Sequence, residues 1–169
     1  MLGDGKDVET AIEQMGPQGG NNVHNVNLER FLNAQRAVYE TALLEVRAGK
    51  KRTHWMWFVF PQITGLGLSA MSKTYAIASI AEGKAYLAHP VLGERLRDIT
   101  EAMNTSVYTD PAAILGTVDA MKFQSSMTLF DLISAEQKCF RTALDKFFGG
   151  RPDEATVRQI AIGQRPVDS

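Results

Sequence analysis

His54-Trp55-Met56-Trp57-Phe58-Val59-Phe60-Pro61-Gln62-Ile63-Thr64-Gly65-Leu66-Gly67-Leu68-Ser69 holds both tryptophans of the chain, and its reading decides the fold. Six large apolar residues in a row, Trp55 to Phe60, cannot keep one face in water as an alternating strand does. The run is therefore expected to be buried nearly all round and to form the centre of the core. Pro61 disfavours helix at Phe60, which leaves Trp55 to Phe60 as an extended piece or a single turn. Gln62 to Gly67 reads as a loop, and a helix or turn starts near Ser69. His54, Gln62 and the Ser69 hydroxyl are groups that a pure core does not need, so the stretch is also the first candidate for a site.

Helical patterns surround it. Asn27 can cap a helix in which Leu28, Phe31, Leu32, Val38, Leu43 and Val46 recur at helical spacing until Gly49. Lys50, Lys51 and Arg52 follow, where positive charge complements the carbonyl end of that helix or, alternatively, binds an anion. Ser79 and Glu82 have capping-box spacing for a short helix to about Ala88. Pro90 suits the first position of a helix that carries Val91, Leu92, Leu96, Ile99 and Met103. Asp110-Pro111 repeats the device for a short helix closed by Gly116. Val118 to Ile133 predicts a helix, apolar on most sides in its second half, that is central. Ser134 with Gln137 forms a second capping box before a helix ending at Gly149-Gly150, and Asp153 caps a last helix through Ile162.

Strand signals are nearly absent, and no period of roughly 20 to 50 residues repeats. The fold class is all-α, a single compact irregular bundle of about six to eight helices around a buried Trp-rich segment. Residues 28–162 form the domain. Residues 1–27, rich in Gly and Asn, read as a flexible tail with at most a transient helical turn near Val8 to Met15. Residues 163–169 read as a frayed polar end.

The 169 residues are 44% hydrophobic and 22% charged, ordinary for a globular protein. With 18 Lys and Arg against 19 Asp and Glu, no global field draws the chain to nucleic acid or an anionic membrane. The single cysteine, Cys139, leaves no intramolecular disulfide and no multi-cysteine metal site. The first residues lack the pattern of a secretory signal, and no stretch approaches the roughly 18 apolar residues of a spanning helix. A cytoplasmic monomer without metal or cofactor is the expectation.

Phe31 to Gln35, His54 to Gln62, Gly65-Leu66-Gly67, Tyr86-Leu87-Ala88-His89-Pro90, Leu92-Gly93-Glu94-Arg95-Leu96, and Lys122 through Ser125-Ser126-Met127-Thr128-Leu129-Phe130 carry a resemblance. Together they resemble a bacterial family known as domain of unknown function 1810, over about Leu28 to Ile160. The resemblance implies an all-helical single domain and brings no catalytic residues. The name calpastatin is sometimes attached to members, but calpastatin is a disordered, repeat-containing inhibitor, whereas this chain has one patterned core and no repeats.

Gly65-Leu66-Gly67-Leu68-Ser69-Ala70 matches G-x-G-x-x-A, with Glu82 near the distance of a ribose ligand. A dinucleotide site also needs a strand before it and a parallel partner, so a tight turn is the better reading. His54, His89 and His24 lack metal-ligand spacing. His54 and His89 could be brought together as base and donor, or could simply satisfy backbone groups. Lys122 shares a helix face with Ser125 and Ser126, which suits an anion contact, or the hydroxyls bond to the helix backbone. Cys139 abuts an apolar face and reads as inert. The first functional hypothesis is a module that binds a small, anionic ligand at His54, Trp57, Gln62, Ser69, His89, Lys122 and Ser126. The alternatives are an enzyme, a hydrolase or transferase on a nucleotide-like substrate, and a protein-interaction domain.

Overall fold

A computed structural model describes residues 27–164. The expected flexible N-terminal tail, with its turn near Val8, and most of the frayed C-terminal end lie outside the described residues. Among those described there are ten helices and no strand. They are α1 (Glu29–Gln35), α2 (Tyr39–Arg47), α3 (Met56–Val59), α4 (Ala70–Thr74), α5 (Ile80–Ala88), α6 (Leu92–Asn104), α7 (Pro111–Leu115), α8 (Thr117–Ile133), α9 (Lys138–Phe148) and α10 (Glu154–Gln164). The all-α reading holds. The number exceeds the expected range because α3, α4 and α7 are single turns of four or five residues.

The 17-residue α8 is the spine, and α5, α7, α9 and α10 all pack on it. Its run from Ser125 to Phe130 is buried on every side, which only a helix surrounded by others permits. Aromatic side chains tie the spine to the tryptophan stretch. Phe60 meets Phe123 edge-on at 4.9 Å, Tyr86 meets Phe130 at 5.7 Å, and Phe31 meets Tyr86 edge-on at 5.0 Å. Trp55, Met56, Phe58, Val59 and Phe60 are buried as expected, but Trp57 is only half-buried. The reason is geometric: Trp55 to Phe60 folds as one helical turn, α3, and a turn on the core still points one side chain outward.

Local signals placed several helix ends. The Ser79 hydroxyl accepts from the Glu82 amide, Asp110 from the Ala112 amide with Pro111 at the first turn, and Asp153 from the Thr156 amide. Gly149 stops α9 in the left-handed region at φ 63°, where a side chain would be strained.

Three expectations are corrected. The helix from Asn27 to Gly49 is two, broken at Arg36 to Val38 without glycine or proline. Tertiary contacts make the break: buried Gln35 donates to the Phe58 carbonyl and to Tyr86, while Tyr39 donates to the Arg95 carbonyl. Thus α1 is held on α3 and α2 on α6. Pro90 does not open α6; the helix starts at Leu92, and Nδ1 of His89 accepts from the Val91 and Leu92 amides in the manner of a cap. Ser134 does not cap α9, because its hydroxyl donates back to the Phe130 carbonyl of α8 and α9 opens at Lys138 without a side-chain cap.

Candidate functional site

The end of α2 and the loop to Trp55 are organised by one carboxylate. Glu45, a buried residue, accepts through Oε1 from the Arg52 and Thr53 amides and from the Trp55 indole at 2.8 Å, and through Oε2 from the Thr53 hydroxyl at 2.8 Å. Burial pushes its pKa up, but the hydrogen bonds led by the Arg52 amide outweigh that and hold it at about 2. The carboxylate is thereby ionised and fully committed to its own loop.

The same loop is tied to α7 by the Lys51 amide, which donates to the Ile114 carbonyl. This fixes the Lys51 side chain. Its ammonium lies 2.9 Å from Oδ2 of Asp119 in the first turn of α8 and 5.0 Å from the Trp55 ring centroid. One helical turn on, Lys122 reaches Oδ1 of the same Asp119 at 3.5 Å and lies 5.0 Å from the Trp57 ring centroid. Two ammonium groups thus share one carboxylate, each against an indole, and the Lys51 side chain is only 9% exposed. Lys50, Arg52 and His54 are exposed on the same loop. Cations exceed carboxylates here, and the indole faces supply only partial compensation.

Of the seven residues proposed from sequence, the structure joins Trp57 and Lys122. No hydrogen bond, ion pair or ring contact links any other two of them among the described residues. His54 is exposed before α3. The Gln62 carbonyl accepts from the Ile77 amide, part of a lone parallel bridge between Ile63 and Ile77. Ser69 caps α4 by accepting from the Ser72 amide. His89 caps α6, and burial, with help from Arg95 and against Glu29, lowers its pKa. Ser126 is fully buried in α8, and its hydroxyl has no partner there.

The remaining motifs resolve into structure. Ser125 donates to the Met121 carbonyl and to Asp153, and Thr128 donates to the Gln124 carbonyl. Both hydroxyls therefore bond within the helix and to the cap of α10, the second of the readings made for them. Gly65 has φ 95° in a turn whose following helix begins only at Ala70, so the glycine pattern is the tight turn. Glu82 pairs with Arg30 at 3.1 Å and accepts from the Ala78 amide, so it is an anchor for α1. Burial, then Glu101, raises the Cys139 thiol to about 11, consistent with an inert thiol.

Lys51, Asp119 and Glu45 were missed as site residues. Lys51 was visible as part of a basic triplet, but nothing local showed that it would turn from the end of α2 toward α8. Asp119 reads in sequence as an ordinary first-turn acid, and Glu45 as a solvated helix residue.

Among curated proteins none matches the chain. The crystal structure of the conserved hypothetical protein Rv1873 from Mycobacterium tuberculosis is similar to it, with a TM-score of 0.78 and 44% sequence identity, over 79% of this chain and 96% of that one. A family profile described as a protein of unknown function, DUF1810, matches residues 25–160. The span contains the tryptophan stretch, the His89-Pro90 cap and the whole of α8, and the chain belongs to the DUF1810 family.

Proposed function

We propose that the protein is a binding module for a small anionic ligand, held at the Trp57–Lys122 face beside Lys51. The observation that carries this reading is the shared carboxylate: Lys51 and Lys122 both pair with Asp119, and Glu45 is committed elsewhere. A lysine ammonium largely withdrawn from water and sharing its counter-charge is under-compensated, and an anion entering beside it restores the balance. Trp57, half-buried, offers an apolar wall for the ligand's body. The cytoplasmic setting belongs to the same reading and rests on the lone, buried cysteine.

The test uses thermal and urea melts of the protein and of Lys122→Ala with inorganic phosphate, citrate and a nucleoside monophosphate, against chloride at equal ionic strength. A ligand at ten times its Kd raises native stability by about 1.4 kcal/mol. At least one of these anions should produce that gain in the native protein and lose it in Lys122→Ala. No gain from any of them, or an equal gain in both proteins, would overturn the reading.

A further inference from the structure

Away from the tryptophan face, three cavities of about 340, 540 and 440 Å³ run into one another. The first two share Ile80 and Ile160, and the first and third share Lys84 and Ile133. They make one furrow between α5 and α10, floored by the end of α8. The floor is preformed: at Gly83 a methyl group would stand 2.7 Å from Cδ1 of Ile133, so the missing side chain lets Ile133 seat against α5. Leu132 is 50% exposed in the furrow and Val157 37%, a contiguous apolar exposure of the kind that marks a binding groove.

The furrow has two unlike ends. Its largest cavity, at the start of α5 and the end of α10, is lined mainly by apolar residues such as Ile63, Ala81 and Ile162 and by no charged one. The middle cavity adds Leu132 and Val157 and carries a single charge, Lys84. The third turns polar, with Lys84, Ser134, Glu136 and Gln137. Lys84 therefore stands at the boundary, and among the described residues no ion pair engages it. An apolar trough that ends on one uncompensated cation is complementary to a molecule with an apolar tail and one anionic head.

We infer that the furrow binds a single-chain amphiphile with a carboxylate head, its tail along Ile80, Val157 and Ile160 and its head at Lys84. The sign of the head follows from the charges at the polar end. Lys84 lines both the trough and the mouth, whereas Glu136 lines the mouth alone. Close to Glu136, α9 opens at Lys138 without a side-chain cap, so the positive end of its dipole adds to Lys84 and offsets the acid. Along α10 the trough runs from Val157 to Gly163, about 9 Å, which suits a medium-length tail.

This site is independent of the tryptophan face. Neither Lys51, Trp57, Asp119 nor Lys122 lines any of the three cavities. The tryptophan face selects a ligand by charge, whereas in the furrow the tail supplies most of the affinity and the head fixes the orientation.

The experiment titrates the full chain with butanoate, hexanoate and octanoate, below micelle-forming concentrations, and follows the amides of Ile80, Lys84 and Ile160 by NMR. Each methylene laid against apolar walls tightens binding by about two- to fourfold, so Kd should fall by roughly four- to fifteenfold at each step of the series. Lys84→Gln should weaken octanoate by about two- to fivefold and leave octanol unchanged. Val157→Asp and Leu132→Asp, both at exposed positions, should each remove binding of both compounds. The furrow response should be the same in Lys122→Ala, so that failure on the tryptophan face and failure here are read separately. No saturable shift of these amides with octanoate would overturn the inference. So would a Kd independent of chain length, a response lost in Lys122→Ala, or octylamine binding as tightly as octanoate, which would give the head to Glu136. Furrow amides that moved only with protein concentration would overturn it as well, by assigning the furrow to a second copy.

Discussion

The tryptophan face and the α5–α10 furrow carry opposite surpluses. On the tryptophan face the excess is charge: Lys51 and Lys122 share Asp119 while Glu45 is consumed by four donors of its own loop. In the furrow between α5 and α10, lined by Ile80, Leu132, Ile133, Val157 and Ile160 with Lys84 among them, the excess is apolar area. A charge surplus calls for a small anion and an apolar surplus for an apolar partner, so the two regions differ in the chemistry that would complete them. The difference also extends inward. The tryptophan face is built over a network of buried polar groups, whereas the furrow lies over side chains such as Ile133 and Ile160 that contribute only packing.

The largest effects should separate two adjacent indoles. Trp55 is fully buried and bonded to Glu45, so Trp55→Ala should destabilise by about 3–5 kcal/mol in urea melts through cavity and lost contacts. Trp57→Ala removes a half-buried ring and should lower stability by only about 1–2 kcal/mol. Equal losses would erase the distinction between the core indole and the half-buried one. Glu45→Ala leaves the buried Trp55 indole and three part-buried loop donors without their acceptor and should lower stability by about 2–4 kcal/mol, although the residue lies at the end of an ordinary surface helix.

Acid should reach the same network. Glu45 has its pKa depressed from 4.5 to about 2, so the unfolded chain binds more protons in that interval. Its contribution is complete above about pH 4.5 and is lost as pH falls toward 2. His89 also has its pKa lowered from 6.5, which again makes the unfolded state the better proton acceptor. Its contribution is present above about pH 6.5 and declines below it, as protonation of Nδ1 breaks the cap on α6. Urea midpoints measured from pH 7.5 to 3 should fall in both intervals. His89→Ala should remove the upper step and Glu45→Gln the lower one.

The smallest effect on stability is assigned to the residue with the largest expected effect on binding. Lys122→Ala should change the unliganded stability by no more than about 0.5–1 kcal/mol, since its ion pair is long and partly exposed.

How much of this was legible follows from the range of each interaction. The caps at Ser79, Asp110 and Asp153 act across two or three residues, and the sequence displays both partners. The break at Arg36 to Val38 depends on Phe58, Tyr86 and Arg95, remote residues that no window around it contains. His89-Pro90 misled for a related reason: proline at a helix start is the commoner device, and the imidazole took the capping role instead. Lys122 stood out because it interrupts an apolar helix and Trp57 because it belongs to the tryptophan stretch, and the structure shows them in contact. Asp119 interrupts nothing. The furrow was illegible because Ile80, Ile133 and Ile160 each look like core in their own helix, and the gap exists only between them.

The most direct measurement follows the two indole N–H signals by NMR while inorganic phosphate, citrate or a nucleoside monophosphate is added to about 10 mM at constant ionic strength. The Trp57 signal should move along a saturating curve, the Trp55 signal, locked to Glu45, should move less, and Lys122→Ala should abolish the saturable shift. If neither indole moves with any of the three anions, or if the native protein and Lys122→Ala respond alike, the charge surplus on the tryptophan face is not a small-anion site and the account's central claim fails.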